Sequence, residues 1–221
     1  MNKCAIFDLD GTLLNTIGTI AYHGNQTLRH FGLSEIPVER YKYLVGNGAV
    51  LLVERMLKET DKDGKMNFDE VYNYYIAEYD SDVKIYTEKY EGIEELLNFL
   101  KNSGYKLAVL SNKPNNAVQN TVKDYFGSTF DTVYGAFENL PKKPDSTLLN
   151  RIAAELNCNK AESIYIGDTD CDMQTGKNGG IFTIGALWGF RTKEELEANN
   201  AGFIAENPLE IIEYLKKHQA D

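Results

Sequence analysis

The chain has 221 residues, of which 43% are hydrophobic and 25% charged, a balance that excludes a disordered or fibrous protein and supplies apolar surface for a sizeable core. Twenty-three Lys and Arg against 33 Asp and Glu leave a formal charge of −10. That argues against nucleic-acid binding, which needs a basic face to displace counterions, and means that an anionic ligand must be held by local cations against the overall field. No apolar run reaches the roughly 18–20 residues of a membrane span, and the four apolar residues 4–7 are too few for a signal-peptide core. Cys4, Cys158 and Cys171 are few, odd in number and widely spaced, which predicts no disulfide framework and no metal-type pair. The expectation is a soluble, cytoplasmic protein without nucleic-acid or membrane partners.

Residues 4–7 are an apolar run that ends in acidic residues and Gly11, the pattern of a buried strand entering a loop. From Thr16 to about Asp80 apolar residues recur at three- and four-residue spacing, which predicts helices at 20–30, 50–58 and 69–79. In the last of these Tyr72, Ile76 and Tyr79 share a face beside Val71 and Tyr75, read as core packing. Beyond Thr87 the pattern alternates. Helix 92–102, stopped by Gly104, leads to strand 106–110, helix 115–125 and strand 132–135. Helix 146–156, strand 163–166, helix 173–178 and strand 181–184 follow, then helix 192–198, strand 203–205 and helix 209–217. The class expected is α/β: a Rossmann-like parallel sheet core with helices on both faces and right-handed crossovers, plus an inserted α-helical cap domain. The core is expected to comprise residues 1–15 and 82–221, the cap 16–81.

Ligands of open α/β sheets bind beyond the carboxyl ends of the strands. Asp8-Leu9-Asp10-Gly11-Thr12 follows the first predicted strand, Ser111-Asn112-Lys113 the second, Lys142-Lys143-Pro144 the third at a short distance, and Gly167-Asp168-Thr169-Asp170-Cys171-Asp172 the fourth. This set suits phosphoryl transfer through an enzyme carboxylate, which splits one hard step into two. Asp8 and Asp168 offer the hard oxygen ligands that Mg²⁺ prefers. Lys143 adds a fixed positive charge, Ser111 a hydroxyl donor, and Gly11 a tight turn that points backbone N–H groups at phosphoryl oxygens. In such a cluster Asp10 is expected to carry a proton to the leaving oxygen, while Asp8, beside Mg²⁺ and Lys143, stays ionised.

Asp8-Leu9-Asp10-Gly11-Thr12-Leu13, Ser111-Asn112-Lys113-Pro114, Lys143-Pro144-Asp145 and Gly167 to Asp172 resemble, in order and spacing, the four motifs of the haloacid dehalogenase-like hydrolase superfamily. The resemblance covers essentially the whole chain and implies an Mg²⁺-dependent phosphatase acting on a small phosphorylated metabolite. It implies Asp8 as nucleophile and Asp10 as acid/base, with Gly11, Ser111, Asn112 and Lys143 binding substrate. Metal would be held by Asp8, the Asp10 carbonyl and Asp168, with Asp172 in support. Within the superfamily the chain is most similar to the phosphoglycolate phosphatase branch, through residues 43–49 of the cap and 110–114. The mutase branch carries a cap histidine at the position of Ile20; His23 is out of register. A sugar-phosphate mutase and a receiver-like phospho-acceptor domain are the competing readings.

Four smaller features remain. Residues 59–70 copy part of an EF-hand loop, with Glu in place of the opening Asp and no second hand, and the cap resemblance predicts a plain interhelical loop there. Cys171 is read as a small residue filling a loop, and Lys142 as a solvated neighbour of Lys143. Gly46-Asn47-Gly48 is expected to face the non-phosphate end of the substrate.

Overall fold

The computed structural model describes residues 1–218. The chain divides into two compact units, residues 1–14 with 89–221, and residues 15–88. The first is an α/β unit. Its strands are β1 (Lys3–Phe7), β4 (Tyr105–Pro114), β5 (Thr132–Ala136), β6 (Ile164–Gly167), β7 (Phe182–Ala186) and β8 (Phe203–Ala205). They form one parallel sheet in the order β5-β4-β1-β6-β7-β8. Its helices are α5 (Ile93–Asn102), α6 (Asn115–Phe126), α7 (Thr147–Glu155), α8 (Asp170–Gly179), α9 (Lys193–Ala198) and α10 (Pro208–His218). The strand order reverses beside β1, where an open α/β sheet has its crevice.

Strand side chains alternate between two apolar layers, as a sheet covered on both faces requires. Ala5, Phe7, Leu107, Val109, Ile164 and Ile166 pack with Leu96 and Leu100 of α5, Val118 and Val122 of α6, and Ile211 and Leu215 of α10. Ile6, Ala108, Leu110 and Tyr165 point the other way, onto Leu148, Leu149 and Ile152 of α7.

Residues 15–88 form a helical unit built of α1 (Ile17–His30), α2 (Val38–Leu44), α3 (Ala49–Thr60) and α4 (Phe68–Ser81). Helix α2 is absent from the sequence reading. Of its seven residues only Tyr41 and Leu44 are buried, too few repeats for a periodic signal. On α4 the buried face is Val71, Tyr75 and Tyr79, whereas Tyr72 and Ile76 are half-buried; the tyrosine stripe is core, turned by one position. Two-residue strands β2 (Leu14–Asn15) and β3 (Glu88–Lys89) pair where the chain leaves and re-enters the α/β unit. No helix among the described residues is long and apolar enough to cross a membrane.

One expectation is corrected. Cys4 and Cys158 are joined by a disulfide, with a Cα–Cα separation of 5.8 Å across 154 residues of sequence, inside the range such a bond allows. Asn2 brings the two together: its N–H donates to the Asn157 carbonyl at 2.8 Å, and its carbonyl accepts from Asn159 N–H at 2.8 Å. Wide spacing in sequence says nothing about neighbours at one end of a sheet. Cys171 is a buried free thiol.

Candidate active site

Asp8 continues β1 by one step, its N–H donating to the Ile166 carbonyl at 2.9 Å. The chain then turns back: Leu13 and Leu14 N–H both donate to the Leu9 carbonyl, and Gly11 N–H donates to the Leu14 carbonyl at 2.8 Å. Gly11 has φ +88°, and a Cβ there would run into the Asp168 carboxylate and lie 2.8 Å from the Phe190 ring. Both the left-handed backbone and the crowding require glycine.

The loop between β5 and α7 delivers Lys143, whose peptide bond to Pro144 is cis. Its ammonium is 2.6 Å from Asp172 Oδ1 and 2.9 Å from Asp8 Oδ1, with only 3% of the side chain exposed. Asp172 belongs to the first turn of α8, not to a loop, because Thr169 caps that helix in a reciprocal capping box with Asp172. Its Oδ2 accepts from Thr169 N–H at 3.0 Å and Thr169 Oγ1 at 2.6 Å, while Oδ1 also accepts from Tyr165 O–H at 3.1 Å. So many donors make Asp172 the anchor of Lys143.

Asp168 is oriented by Thr12 Oγ1, which donates to its Oδ1 at 2.9 Å, and by Phe190 N–H, which donates to Oδ2 at 2.9 Å. The loop after β7 holds this arrangement in place. Trp188 Nε1 donates to the Thr12 carbonyl at 3.0 Å, and a Cβ on Gly189 would overlap Asp168 and sit 2.5 Å from the Gly11 carbonyl. Sequence reading missed this loop. Its position after a strand is a signal, but its contributions are a backbone N–H, an indole N–H and a missing Cβ, which no reactive residue type announces.

Strand β4 reaches the site through an irregularity: the four steps from Leu110 to Pro114 run beside only two steps of β5, from Tyr134 to Ala136. Such a bulge re-aims side chains, and here it carries Ser111, Asn112 and Lys113. Gly135 accommodates it, since a Cβ there would lie 2.5 Å from the Lys113 carbonyl. Ser111 Oγ accepts from Lys113 N–H at 3.3 Å, leaving its own proton to give. Asn112 is committed to Lys143: Nδ2 donates to the Lys143 carbonyl at 3.1 Å and Oδ1 accepts its N–H at 2.9 Å. The structure therefore gives Asn112 the task of positioning Lys143. Lys113 Nζ lies 3.4 Å from Asp10 Oδ1, a contact absent from the sequence reading.

Four aspartates (8, 10, 168, 172) and two lysines (113, 143) meet here, a formal excess of two negative charges that one divalent cation would cancel. Burial, with the repulsion of Asp172 and Asp10, pushes Asp8 up from 3.8 to about 7 against the pull of Lys143. In the metal-free site desolvation outweighs the one ammonium, whereas the expectation of an ionised Asp8 is for a site that also holds Mg²⁺. Burial, then Asp172 and Asp8, holds Asp168 well above the ordinary carboxylate value. Burial opposes the charge on Lys143, yet Asp172 and Asp8 carry it well above 10.5. Burial pushes the Cys171 thiol to about 12, so it is no thiolate at neutral pH.

Asp8, Asp168 and Asp172 offer carboxylate oxygens within 4.8 Å of one another. Asp8 Oδ1 is buried, with the Lys143 ammonium 2.9 Å away. A buried carboxylate oxygen grouped with those of Asp168 and Asp172 fits a hard divalent cation.

Elsewhere, Gly46 (φ +107°) and Gly48 (φ +91°) flank Asn47 between α2 and α3. Arg55 holds that loop, donating from Nη1 to the Leu44 carbonyl at 2.7 Å and from Nη2 to Asn47 Oδ1 at 2.8 Å. In the EF-hand-like stretch Asp61 accepts from Lys65 and Met66 N–H, and Lys65 Nζ lies 2.6 Å from Asp63. These acids close a turn between helices.

A parallel sheet reversing at β1, with carboxylates, a lysine and a hydroxyl gathered at its carboxyl edge, is an α/β site suited to phosphoryl groups. The chain matches the haloacid dehalogenase-like hydrolase family over residues 5–186. It is 30% identical to the phosphoglycolate phosphatase of Aquifex aeolicus, covering 98% of each chain. It is also 30% identical to that of Psychrobacter arcticus, over 96% of this chain and 95% of the relative. A crystal structure from Lactobacillus delbrueckii, provisionally named a phosphoglycolate phosphatase, superposes with a TM-score of 0.88 at 30% identity, covering 96% of this chain and 97% of that one. The chain belongs to the haloacid dehalogenase-like hydrolase family, and it is a phosphatase of the phosphoglycolate phosphatase-like branch.

Proposed function

We propose that the chain hydrolyses a small phosphomonoester of the phosphoglycolate type in an Mg²⁺-dependent reaction through an aspartyl-phosphate on Asp8. The observation that carries this reading is the buried cluster of Asp8, Asp168 and Lys143 at the reversal of the sheet. Asp8, the Asp10 carbonyl and Asp168 would hold Mg²⁺, which when bound supplies positive charge to the phosphoryl oxygens.

An Asp8 oxygen attacks phosphorus and forms the acyl-phosphate bond as the ester P–O bond breaks, and the leaving oxygen takes a proton from Asp10. A water then gives a proton back to Asp10 and attacks the same phosphorus, releasing inorganic phosphate and restoring Asp8. Lys143 and the Ser111 hydroxyl hold phosphoryl oxygens. Because the transition state spreads charge over those oxygens, fixed donors supply much of the rate.

The test is phosphate release over a panel of small phosphomonoesters with Mg²⁺ and after chelation. Turnover that vanishes with EDTA and returns with Mg²⁺ is expected; full activity in excess chelator contradicts the metal assignment.

A further inference from the structure

We propose that Lys113 is a positioning residue for Asp10: it fixes which oxygen of that carboxyl handles the transferred proton. This rests on the acid/base reading of Asp10 and goes beyond it by naming what controls that group.

Lys113 stands on the β4 bulge, on the strand paired with β1. Its side chain is 8% exposed and its Nζ lies 3.4 Å from Asp10 Oδ1, on a carboxyl 21% exposed. Lys143, by contrast, is bound closely by Asp172 and Asp8, so Asp10 has a different ammonium from the nucleophile. An ammonium can only donate. The contact keeps Oδ1 as an acceptor and so favours Oδ2 as the carrier of the mobile proton. During ester cleavage Oδ2–H gives its proton to the leaving oxygen while Oδ1 stays bound to Lys113. When water attacks, Oδ2 takes a proton back with the carboxyl held in the same rotamer. A general acid works only when the proton is aimed within hydrogen-bond reach of its target.

Helix and strand geometry alone give Lys113 no such purpose. A lysine serving only to balance charge or to fill the bulge would weaken all substrates alike when removed. A positioning role has a different signature: the loss scales with how badly the leaving group needs a proton.

The experiment measures kcat and KM for wild type, Lys113→Met, Lys113→Arg, Asp10→Asn and the double variant Asp10→Asn/Lys113→Met. Substrates run from p-nitrophenyl phosphate to small alkyl phosphates. Asp10→Asn should lose about 10²- to 10⁴-fold in kcat on alkyl esters and far less on p-nitrophenyl phosphate. Lys113→Met should follow the same slope with a smaller loss, about ten-fold or more on alkyl esters. Lys113→Arg keeps the donor and should restore most of it. In the Asp10→Asn background, removal of Lys113 should cost nothing further on alkyl esters.

A uniform loss for Lys113→Met across leaving groups, or full additivity with Asp10→Asn, overturns the assignment while leaving Asp10 as acid/base. A flat leaving-group dependence for Asp10→Asn itself overturns the acid/base reading and this inference with it. If Lys113→Met does not fold, Lys113→Arg decides: it must keep the wild-type leaving-group slope, and a slope like that of Asp10→Asn contradicts the proposal.

Discussion

Asp8 sits under two opposing influences, desolvation and the Lys143 ammonium, and in the metal-free protein desolvation prevails, placing its pKa near 7 instead of 3.8. The sign of the consequence follows. Between those values the folded chain holds a proton that the unfolded chain has released, so the contribution of Asp8 to metal-free stability falls as pH rises from about 4 through about 7. A divalent cation needs the ionised forms of Asp8 and Asp168, both held up by burial, so its apparent affinity should rise with pH through about 7. Calorimetric titration of Mg²⁺ between pH 5 and 8 checks this, and a flat profile contradicts it. At this scale the placement of residues was readable wherever residue type carries chemistry: Asp8, Asp10, Lys143 and Asp168 stand in loops beyond strands, and Ser111 on the polar end of β4. The pairing of Lys113 with Asp10 was not readable, because one motif lysine looks like any other until the bulge aims it. Nor was the capture of Asn112 by the Lys143 backbone, since a carboxamide suits a phosphate as well as a peptide.

Three elements set the site's geometry: the β4 bulge, the capped start of α8 and the loop after β7. Each acts through backbone more than through side chains, which is why strand β4 was read four residues short and the α8 start was read as loop. The apolar run stops at Leu110, whereas the strand continues through polar residues to Pro114. Thr169 and Asp172 carry capping-box spacing, but their acidic neighbours read equally well as a metal-binding loop. Gly189 tests the third element. Gly189→Ala places a Cβ against the Asp168 side chain and 2.5 Å from the Gly11 carbonyl. Asp168 should be displaced and Mg²⁺ affinity fall about 10- to 100-fold, the usual effect of disturbing groups that orient a ligand. Unchanged affinity with unchanged circular dichroism would show that this loop does not set the Asp168 position.

For the whole chain, alternation of strand and helix made the α/β class and the interruption after the first strand legible, because a parallel sheet imposes crossovers of that length. Proximity without periodicity was not legible, and Cys4–Cys158 is the instance. A link closing 154 residues removes much freedom from the unfolded chain and is typically worth about 2–4 kcal/mol. Reduction should therefore lower the thermal midpoint by roughly 4–16 °C, and Cys158→Ser should melt like the reduced protein with or without reductant. Identical midpoints for oxidised and reduced protein would contradict a stabilising bridge.

As the nucleophile, Asp8 must be phosphorylated in each catalytic cycle. Acid quenching during turnover, followed by intact-mass and peptide mapping, measures this directly. One phosphoryl group is expected on the peptide containing Asp8, labile to hydroxylamine, with neither adduct nor turnover in Asp8→Asn. Undiminished phosphate release by Asp8→Asn, or a phosphoryl group mapped to another residue, would contradict it.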